Sequence, residues 1–513
     1  MKKTLLLISG CIITAAVLAQ EPADALRFSW YTPGGSARTQ AVGGAMGSLG
    51  GDITANYVNP AGLAFFKTGD FIFTPIYQSG KTRGTYLGTT DQDKTQRFSL
   101  GTTGFVMGSG NGRRNVRNTA FSIAFNHTAD FNSDILYKGK NNQSSFAQKF
   151  AEELNNSGLK DSRVETEFPL GASLAYNTYW VDAVKNSAGQ IDRFETSAPV
   201  ATGLLQQQSI KNRGGIYEFA FGMAVNLKDK IMIGGSIGVP ILNYKRETEF
   251  VEADATTDPN NRFDYGIFSD KLHTSGVGVN LKAGVIYKPA EAWRLGLAVH
   301  TPTFYSLTDN YEASVVLNDD VPADSAWKDN SKSYMNDQPS EFKYLLVTPY
   351  RVVGSISYVI REIQDVTKQR GFITADVEYV NYKASSFQPD ADNNSDESTK
   401  TYLKSLNTAI DKAYKSAFNF RLGGELKFTT IMARLGASYY SNPYKDIKGE
   451  KGSRMNLSGG LGYRNKGFFI DLTYIYAINK DVNYAYRLES APYYAANLKN
   501  TTGNIVGTVG FKF

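Results

Sequence analysis

The chain has a single cysteine, three histidines and, beyond its N-terminus, no long apolar run. One Cys rules out a disulfide scaffold. Nothing past the first residues approaches the roughly 18 uninterrupted apolar positions that a membrane-spanning helix needs. Charge is scarce too, at 20% of 513 residues, and the formal balance is +6. No Lys/Arg cluster of the kind that grips nucleic acid is present. The densest basic spot, Arg113-Arg114, reads as a turn. What the chain does have is 31 Tyr, 30 Phe and 48 Gly, and so many aromatics exclude disorder. Aromatics and glycine without long apolar runs point to an outer-membrane β-barrel as the class to test first.

Lys2 and Lys3, the apolar stretch from Leu5 to Leu18 and the small-residue site ending at Ala19 read as a secretory signal peptide over 1–19. Ile8-Ser9-Gly10-Cys11 is a lipobox-like rival, but cleavage there would leave Ile12, Ile13 and Val17 as a greasy mature end. Cleavage after Ala19 removes Cys11 and with it any thiolate nucleophile or thiolate metal site.

Alternation with period two then dominates. Phe468, Ile470, Leu472, Tyr474, Tyr476 and Ile478 share one face, against Asp471, Thr473 and Asn479. Phe418, Phe420, Leu422, Leu426 and Phe428 oppose Asn419, Arg421, Glu425 and Lys427, and Val277, Val279, Leu281 and Val285 oppose Asn280 and Lys282. About fourteen strands follow, near 69–79, 95–107, 118–131, 214–227, 229–248, 268–288, 292–317, 341–361, 370–387, 416–428, 430–441, 453–464, 466–480 and 501–513. Short turns such as Arg464-Asn465-Lys466-Gly467 alternate with long polar loops, the parity of periplasmic turns and extracellular loops. The expected fold is all-β, a transmembrane antiparallel barrel over 69–513. Charges such as Arg351, Arg421, Glu425, Arg434, Arg464 and Asp471 are assigned to the lumen, because an Arg facing lipid at mid-membrane would cost roughly 2–4 kcal/mol. Glu425, Glu378 and Asp376 are the expected partners of Arg421 and Arg434.

Residues 20–68 are too irregular for strands. They run through Ser36-Ala37-Arg38, Gly43-Gly44-Ala45 and Asp52 into Asn59-Pro60-Ala61-Gly62-Leu63. A phosphate loop is excluded by the missing preceding strand and the missing Gly-Lys-Ser/Thr ending. A compact insert in a narrow lumen fits better. That stretch, together with Gly278 to Pro289 and Trp293 to Pro302, resembles the FadL/OmpP1/TodX family of outer-membrane transporters for fatty acids and other hydrophobic compounds. The terminal Phe511-Lys512-Phe513 looks like the signal read by the barrel-assembly machinery, an expected partner during biogenesis.

The resemblance implies a monomeric passive channel with 20–68 as a hatch. Asn59, Pro60, Ala61, Gly62 and Leu63 would form the hatch motif. A wall opening would fall in the third strand near Asn126, His127 and Thr128, although no Gly or Pro there signals a bulge. Two stripes at helical spacing are candidates for loop capture of a hydrophobic ligand: Phe146, Phe150 and Leu154, then Leu403, Leu406, Ile410 and Tyr414. Such stripes also serve simply to pack against each other. Outer-membrane lipid and detergent-like amphiphiles are the remaining expected contacts, with no cofactor, no metal and no nucleic acid. The alternative is a general porin or a haem- or adhesion-type surface barrel. An enzyme is disfavoured because His127, His273 and His300 fall on separate strands with no Ser motif nearby. Asp390-Ala391-Asp392 and Asp396-Glu397 read as solvated loop before Ca²⁺ ligands.

Overall fold

The computed structural model describes residues 22–31, 34–110, 115–256, 261–319, 326–360, 370–392, 396–445 and 452–513. The segment 1–19, expected to be a signal peptide, and the Arg113-Arg114 pair lie outside the described residues.

Fourteen antiparallel wall crossings, or staves, close into a barrel. The first is β1 (Gly69–Phe73) with β2 (Pro75–Tyr86), the second β3 (Thr89–Leu100) with β4 (Thr103–Gly110), the third β5 (Val116–Asp130) with β6 (Ser133–Asn141). A separate hairpin of β7 (Val181–Lys185) and β8 (Ile191–Thr196) stands in the next loop. Staves four to six are the unbroken β9 (Leu204–Leu227), β10 (Ile231–Asp254) and β11 (Tyr265–Tyr287). The seventh joins β12 (Trp293–His300) to β13 (Phe304–Asn318), and the short β14 (Trp327–Asn330) pairs back onto it. The eighth is β15 (Ser340–Val347) with β16 (Arg351–Ile360), the ninth β17 (Gly371–Asn381) with β18 (Ser386–Pro389). β19 (Ser416–Lys427), β20 (Ile431–Tyr440), β21 (Arg454–Asn465), β22 (Phe468–Tyr484) and β23 (Ala495–Lys512) complete the wall. Closure is antiparallel, Ile72 opposite Gly510 and Tyr77 opposite Ile505.

The expected strand number is met, but several strands differ in extent. The first runs on to Tyr86, the second starts at Thr89, the fourth at Leu204 and the last at Ala495. These extensions rise above the lipid. On β10 the outward residues are Ile231, Ile233, Ile237 and Ile241, then Lys245, Glu247 and Glu249, so polar and apolar residues cease to alternate while the ladder continues. The strands expected at 292–317 and 341–361 are each broken, at Thr301-Pro302-Thr303 and Thr348-Pro349-Tyr350, since proline brings no N–H to a ladder. Across those breaks the Thr303 N–H donates to Thr348 Oγ1 at 2.9 Å and the Thr348 N–H to the Thr303 carbonyl at 3.0 Å.

The apolar faces read from the sequence point outward. Phe420, Leu422, Leu426, Leu457, Leu461, Ile470 and Leu472 are all exposed on the outer surface of the isolated chain. Such a belt is stable only against lipid. Inside, Arg421 pairs with Glu378 at 2.9 Å, and Arg434 with Glu425 at 2.6 Å and Asp471 at 2.5 Å. Asp376 does something else. Its carboxylate accepts from the backbone N–H groups of Met46 and Gly47 at 3.1 and 3.0 Å.

The N-terminal segment fills the lower lumen. It comprises α1 (Pro22–Ser29), α2 (Ala37–Ala41), α3 (Ala55–Val58) and a 3₁₀ turn over Pro60–Phe65. Staves all round the barrel hold it. Thr508 Oγ1 accepts from Ala37 N–H at 2.8 Å, Thr473 Oγ1 donates to the Ala37 carbonyl at 2.7 Å and Ser236 Oγ to that of Asn56 at 2.8 Å. Arg294 donates to the Leu49 carbonyl at 2.6 Å. Two lumenal glycines on neighbouring strands, Gly423 and Gly436, lie so close to Val42 and Gly43 that a Cβ on either would strike that backbone.

Candidate functional site

Above the N-terminal segment lies a chamber of about 660 Å³. Its floor is Leu26, Arg27 and Trp30 of α1 and its continuation, with Gly43 and Gly44. Its ceiling is the loop between β6 and β9, which carries α4 (Gln148–Ser157) and α5 (Ala172–Asn177). The walls are lumenal residues of the flanking staves, apolar at Phe131, Phe250 and Phe268 and polar on β21 to β23.

The hatch-motif residues sit at the bottom, where the chain turns toward β1. Asn59 Oδ1 accepts from the Ala61 N–H at 3.1 Å and so caps the Pro60–Phe65 turn. The same amide donates to the Gly47 carbonyl at 2.6 Å and the Val285 carbonyl of the wall at 3.3 Å. A Cβ on Gly284 would collide with this amide, so the approach depends on glycine there. Ala61 and Leu63 bury against the small residues Ala120, Ala124, Ala220 and Ala224.

Asn126, His127 and Thr128 stand beside a discontinuity in the wall. β4 pairs with β5 from Thr103 opposite Phe125 down to Gly110 opposite Asn118. Above that level β3 pairs with β2 and β6 with β9, and among the described residues no ladder joins the second stave to the third. The third stave carries a bulge here, since His127 faces Tyr217 and Ala129 faces Ile216, leaving Thr128 as the extra residue. No glycine or proline announces it. Thr128 Oγ1 instead donates to the Ile216 carbonyl at 3.2 Å, while the His127 ring stacks on Tyr217 with centroids 4.4 Å apart. The Asn126 amide oxygen accepts from Thr102 Oγ1 at 2.8 Å.

Beyond the bulge β6 leans inward, packing Tyr137 on Tyr86 at 5.2 Å and passing over Gly84. Side chains bridge the seam it leaves. Arg97 pairs with Asp130 at 2.5 Å and donates to the Asn132 carbonyl at 2.9 Å, and Lys138 lies 3.5 Å from Asp91. The seam begins at the level of the apolar belt: Tyr474, Ile505, Tyr77 and Phe98 are successive outward partners there, and Phe98 is 83% exposed.

Both candidate capture stripes face inward. Phe146 stacks on Phe250 at 4.3 Å and reaches the chamber, whereas Phe150 and Leu154 pack in the loop core. The Lys149 ammonium lies over three rings, 3.8 Å from Phe146, 4.5 Å from Phe150 and 4.6 Å from Phe268. Beside it, burial pushes the Glu153 carboxyl up to about 7, with Lys149 opposing. Leu403, Leu406 and Ile410 are the buried face of α6 (Glu397–Ala413), and Tyr414 donates from its hydroxyl to the Pro22 carbonyl at 3.1 Å. Asp396 N-caps α6, accepting from Ser398 and Thr399 N–H at 3.1 Å each. The three histidines are dispersed. His273 Nε2 is 3.3 Å from Asn243 and His300 Nε2 is 2.9 Å from the Val58 carbonyl.

Several site residues escaped the sequence reading. Arg27 and Trp30 carried no pattern, and the Arg97–Asp130 link needs the fold. The lumenal run Asn500, Thr502, Asn504 on β23 was legible by alternation once that strand was set.

No protein-family model matches the chain, and no curated protein matches its sequence. Solved structures do match its fold. A Pseudomonas aeruginosa FadL homologue superposes with a TM-score of 0.54 at 12% identity, over 94% of this chain and 100% of that one. The P. putida toluene transporter TodX gives 0.50 at 11% identity, over 94% and 99%. A TodX deltaS2 mutant, described as a monoaromatic hydrocarbon channel, gives 0.51 at 11%, over 93% and 98%. Wall and lumenal segment together, the chain has the fold of the FadL homologue and TodX.

Proposed function

We propose that this protein is a passive outer-membrane channel for hydrophobic small molecules such as long-chain fatty acids. The chamber of about 660 Å³, floored by the N-terminal segment and bordered by a break in the wall's backbone ladder at the level of the apolar belt, is the observation that carries this reading. A hydrophobic molecule gains roughly 25 cal/mol per Å² of apolar surface removed from water, so it partitions into such a chamber without an energy source. Entry is past the extracellular loops. Departure follows one of two routes: displacement of residues 22–68 as a hatch, pivoting on the Asn59-to-Leu63 motif, or sideways through the seam beside Asn126, His127 and Thr128.

The test compares uptake of labelled long-chain fatty acid and of small aromatics by cells with and without the protein. Uptake of at least one class should depend on it. Equal uptake of every hydrophobic compound with and without the protein would refute the reading.

A further inference from the structure

Most of the charged side chains that line the chamber are occupied by the protein itself. Arg97 pairs with Asp130 at 2.5 Å, Arg246 with Asp270 at 3.3 Å, and Arg27 with Asp24 of its own helix. The Lys149 ammonium lies over the rings of Phe146, Phe150 and Phe268. Two opposite charges remain, Arg454 and Asp481. Arg454 opens β21 opposite Asn479, and Asp481 follows two residues on along β22, so they stand one diagonal step apart on the same lumenal face. Neither forms an ion pair with the other or with any described residue.

Both present unused polar atoms to the chamber. The Arg454 guanidinium lies over the Trp30 ring, 3.4 Å from its centre, a stack that uses its face and leaves its N–H edge unengaged. That edge donates to no described residue, and none of its nitrogens is sealed from the chamber. Asp481 Oδ1 accepts from the Val482 N–H at 2.9 Å and from the Tyr444 hydroxyl at 3.2 Å, while Oδ2 has no donor and is open in the same way. A ligand carboxylate placed on Arg454 would sit beside the Asp481 charge, and a ligand ammonium on Asp481 beside that of Arg454. A head group carrying both charges matches each side chain and is opposed by neither.

We infer that Arg454 and Asp481 form a head-group site for zwitterionic amphiphiles, of which an α-amino acid with a long apolar side chain is the simplest. Its carboxylate lies on Arg454, its ammonium on Asp481 Oδ2 and its tail toward the apolar wall of Phe131, Phe250 and Phe268. This rests on the transport reading and narrows its substrate class. The experiment uses the whole chain in lipid nanodiscs and equilibrium dialysis of radiolabelled ligand, with the uptake of empty nanodiscs subtracted. Four probes share a twelve-carbon chain and differ in head-group charge: 2-aminododecanoate, laurate, dodecylammonium and dodecanol. At pH 7 the zwitterion should half-saturate at a concentration roughly 10-fold below laurate and dodecylammonium, the yield of a second charge-assisted contact. Asp481→Asn, which keeps an acceptor for Val482 and Tyr444, should erase the advantage over laurate, and Arg454→Gln the advantage over dodecylammonium. Laurate or dodecylammonium binding wild type as tightly as the zwitterion, or an advantage that survives the matching substitution, overturns the inference and leaves the channel reading intact. If no probe binds wild type above the empty nanodiscs, the channel reading falls and takes this inference with it. The wild-type order of the four probes decides the matter even where a variant fails to assemble.

Discussion

The fourth and fifth staves and the second and third solve the same problem in opposite ways. β9 and β10 pair without interruption from Leu227 opposite Ile231 to Leu204 opposite Asp254. β4 and β5 pair only as far up as Thr103 and Phe125, after which the two staves part. In hydrocarbon an unpaired backbone group costs several kcal/mol, so the continuous ladder is the default for a membrane wall. At the seam β6 leans inward and finds its ladder on β9 instead, and ion pairs at Arg97 and Lys138 span the remainder. A wall held by backbone cannot open without unfolding; a wall held by side chains can.

The sharpest way to separate the two regions is first to remove what lies behind both. Deleting residues 22–68 should convert a closed barrel into an open pore, read as a steady conductance across a planar bilayer. Unchanged conductance would mean that the wall and loops, not the N-terminal segment, block the lumen, and would leave a general porin without support. Next, a short bifunctional thiol crosslinker across Arg97→Cys/Asp130→Cys should abolish uptake, while one across Ser209→Cys/Glu249→Cys on the continuous wall should not. Equal effects of the two crosslinks would dismiss the seam as an exit. Third, the cost of losing a charge should differ. Arg434→Ala strips the buried Asp471 carboxylate of its ion-pair partner, leaves Glu425 only the longer contact to Arg38 at 3.8 Å, and should destabilise the barrel by about 3–5 kcal/mol, whereas Lys138→Ala at the half-exposed seam pair should cost ~0–1 kcal/mol. Heat-modifiable gel migration measures both.

The smallest effect is the pH response of the ceiling. The Glu153 carboxyl is raised to about 7 by burial, so the folded loop holds a proton that the unfolded loop releases near the ordinary carboxylate pKa. Stability of α4 is therefore full in acid, declines as pH rises toward about 7, and is flat above. Amide exchange in α4 should quicken from pH 5 to pH 8, and Glu153→Gln should remove the difference. A wild-type rate that follows only the intrinsic chemistry of exchange would dispose of this switch.

Much of the wall was legible in the sequence because lipid enforces a strict code. Phe420, Leu422 and Leu426 can only face outward, and Arg421 and Glu425 only inward. The code lapses wherever lipid does. β10 above Thr248 and β9 above Gly214 stand clear of the lipid, so these upper ends showed no alternation to read. The bulge at Thr128 was invisible because it falls in a run, Asn126-His127-Thr128-Ala129, with no glycine or proline to mark it. Of the two stripes, Phe150 and Leu154 fall on α4 and Leu403, Leu406 and Ile410 on α6, with Phe146 and Tyr414 just beyond the helix ends, but periodicity cannot say whether an apolar face meets a ligand or another part of the chain. Phe146 reaches the chamber; Leu403 and Ile410 meet protein. The Asn59 motif was found through resemblance, and its grip on Val285 depends on Gly284, a position far away in sequence.

The hydrogen bond from Ala37 to Thr508 joins residues 471 positions apart. A segment that precedes every described strand of the wall thus waits for the last of them, and that strand also closes the ring against β1 and β2. Contacts so distant in sequence make folding slow. The bond can form only once that strand stands in the wall, so seating the core and closing the container are coupled events and neither is complete without the other.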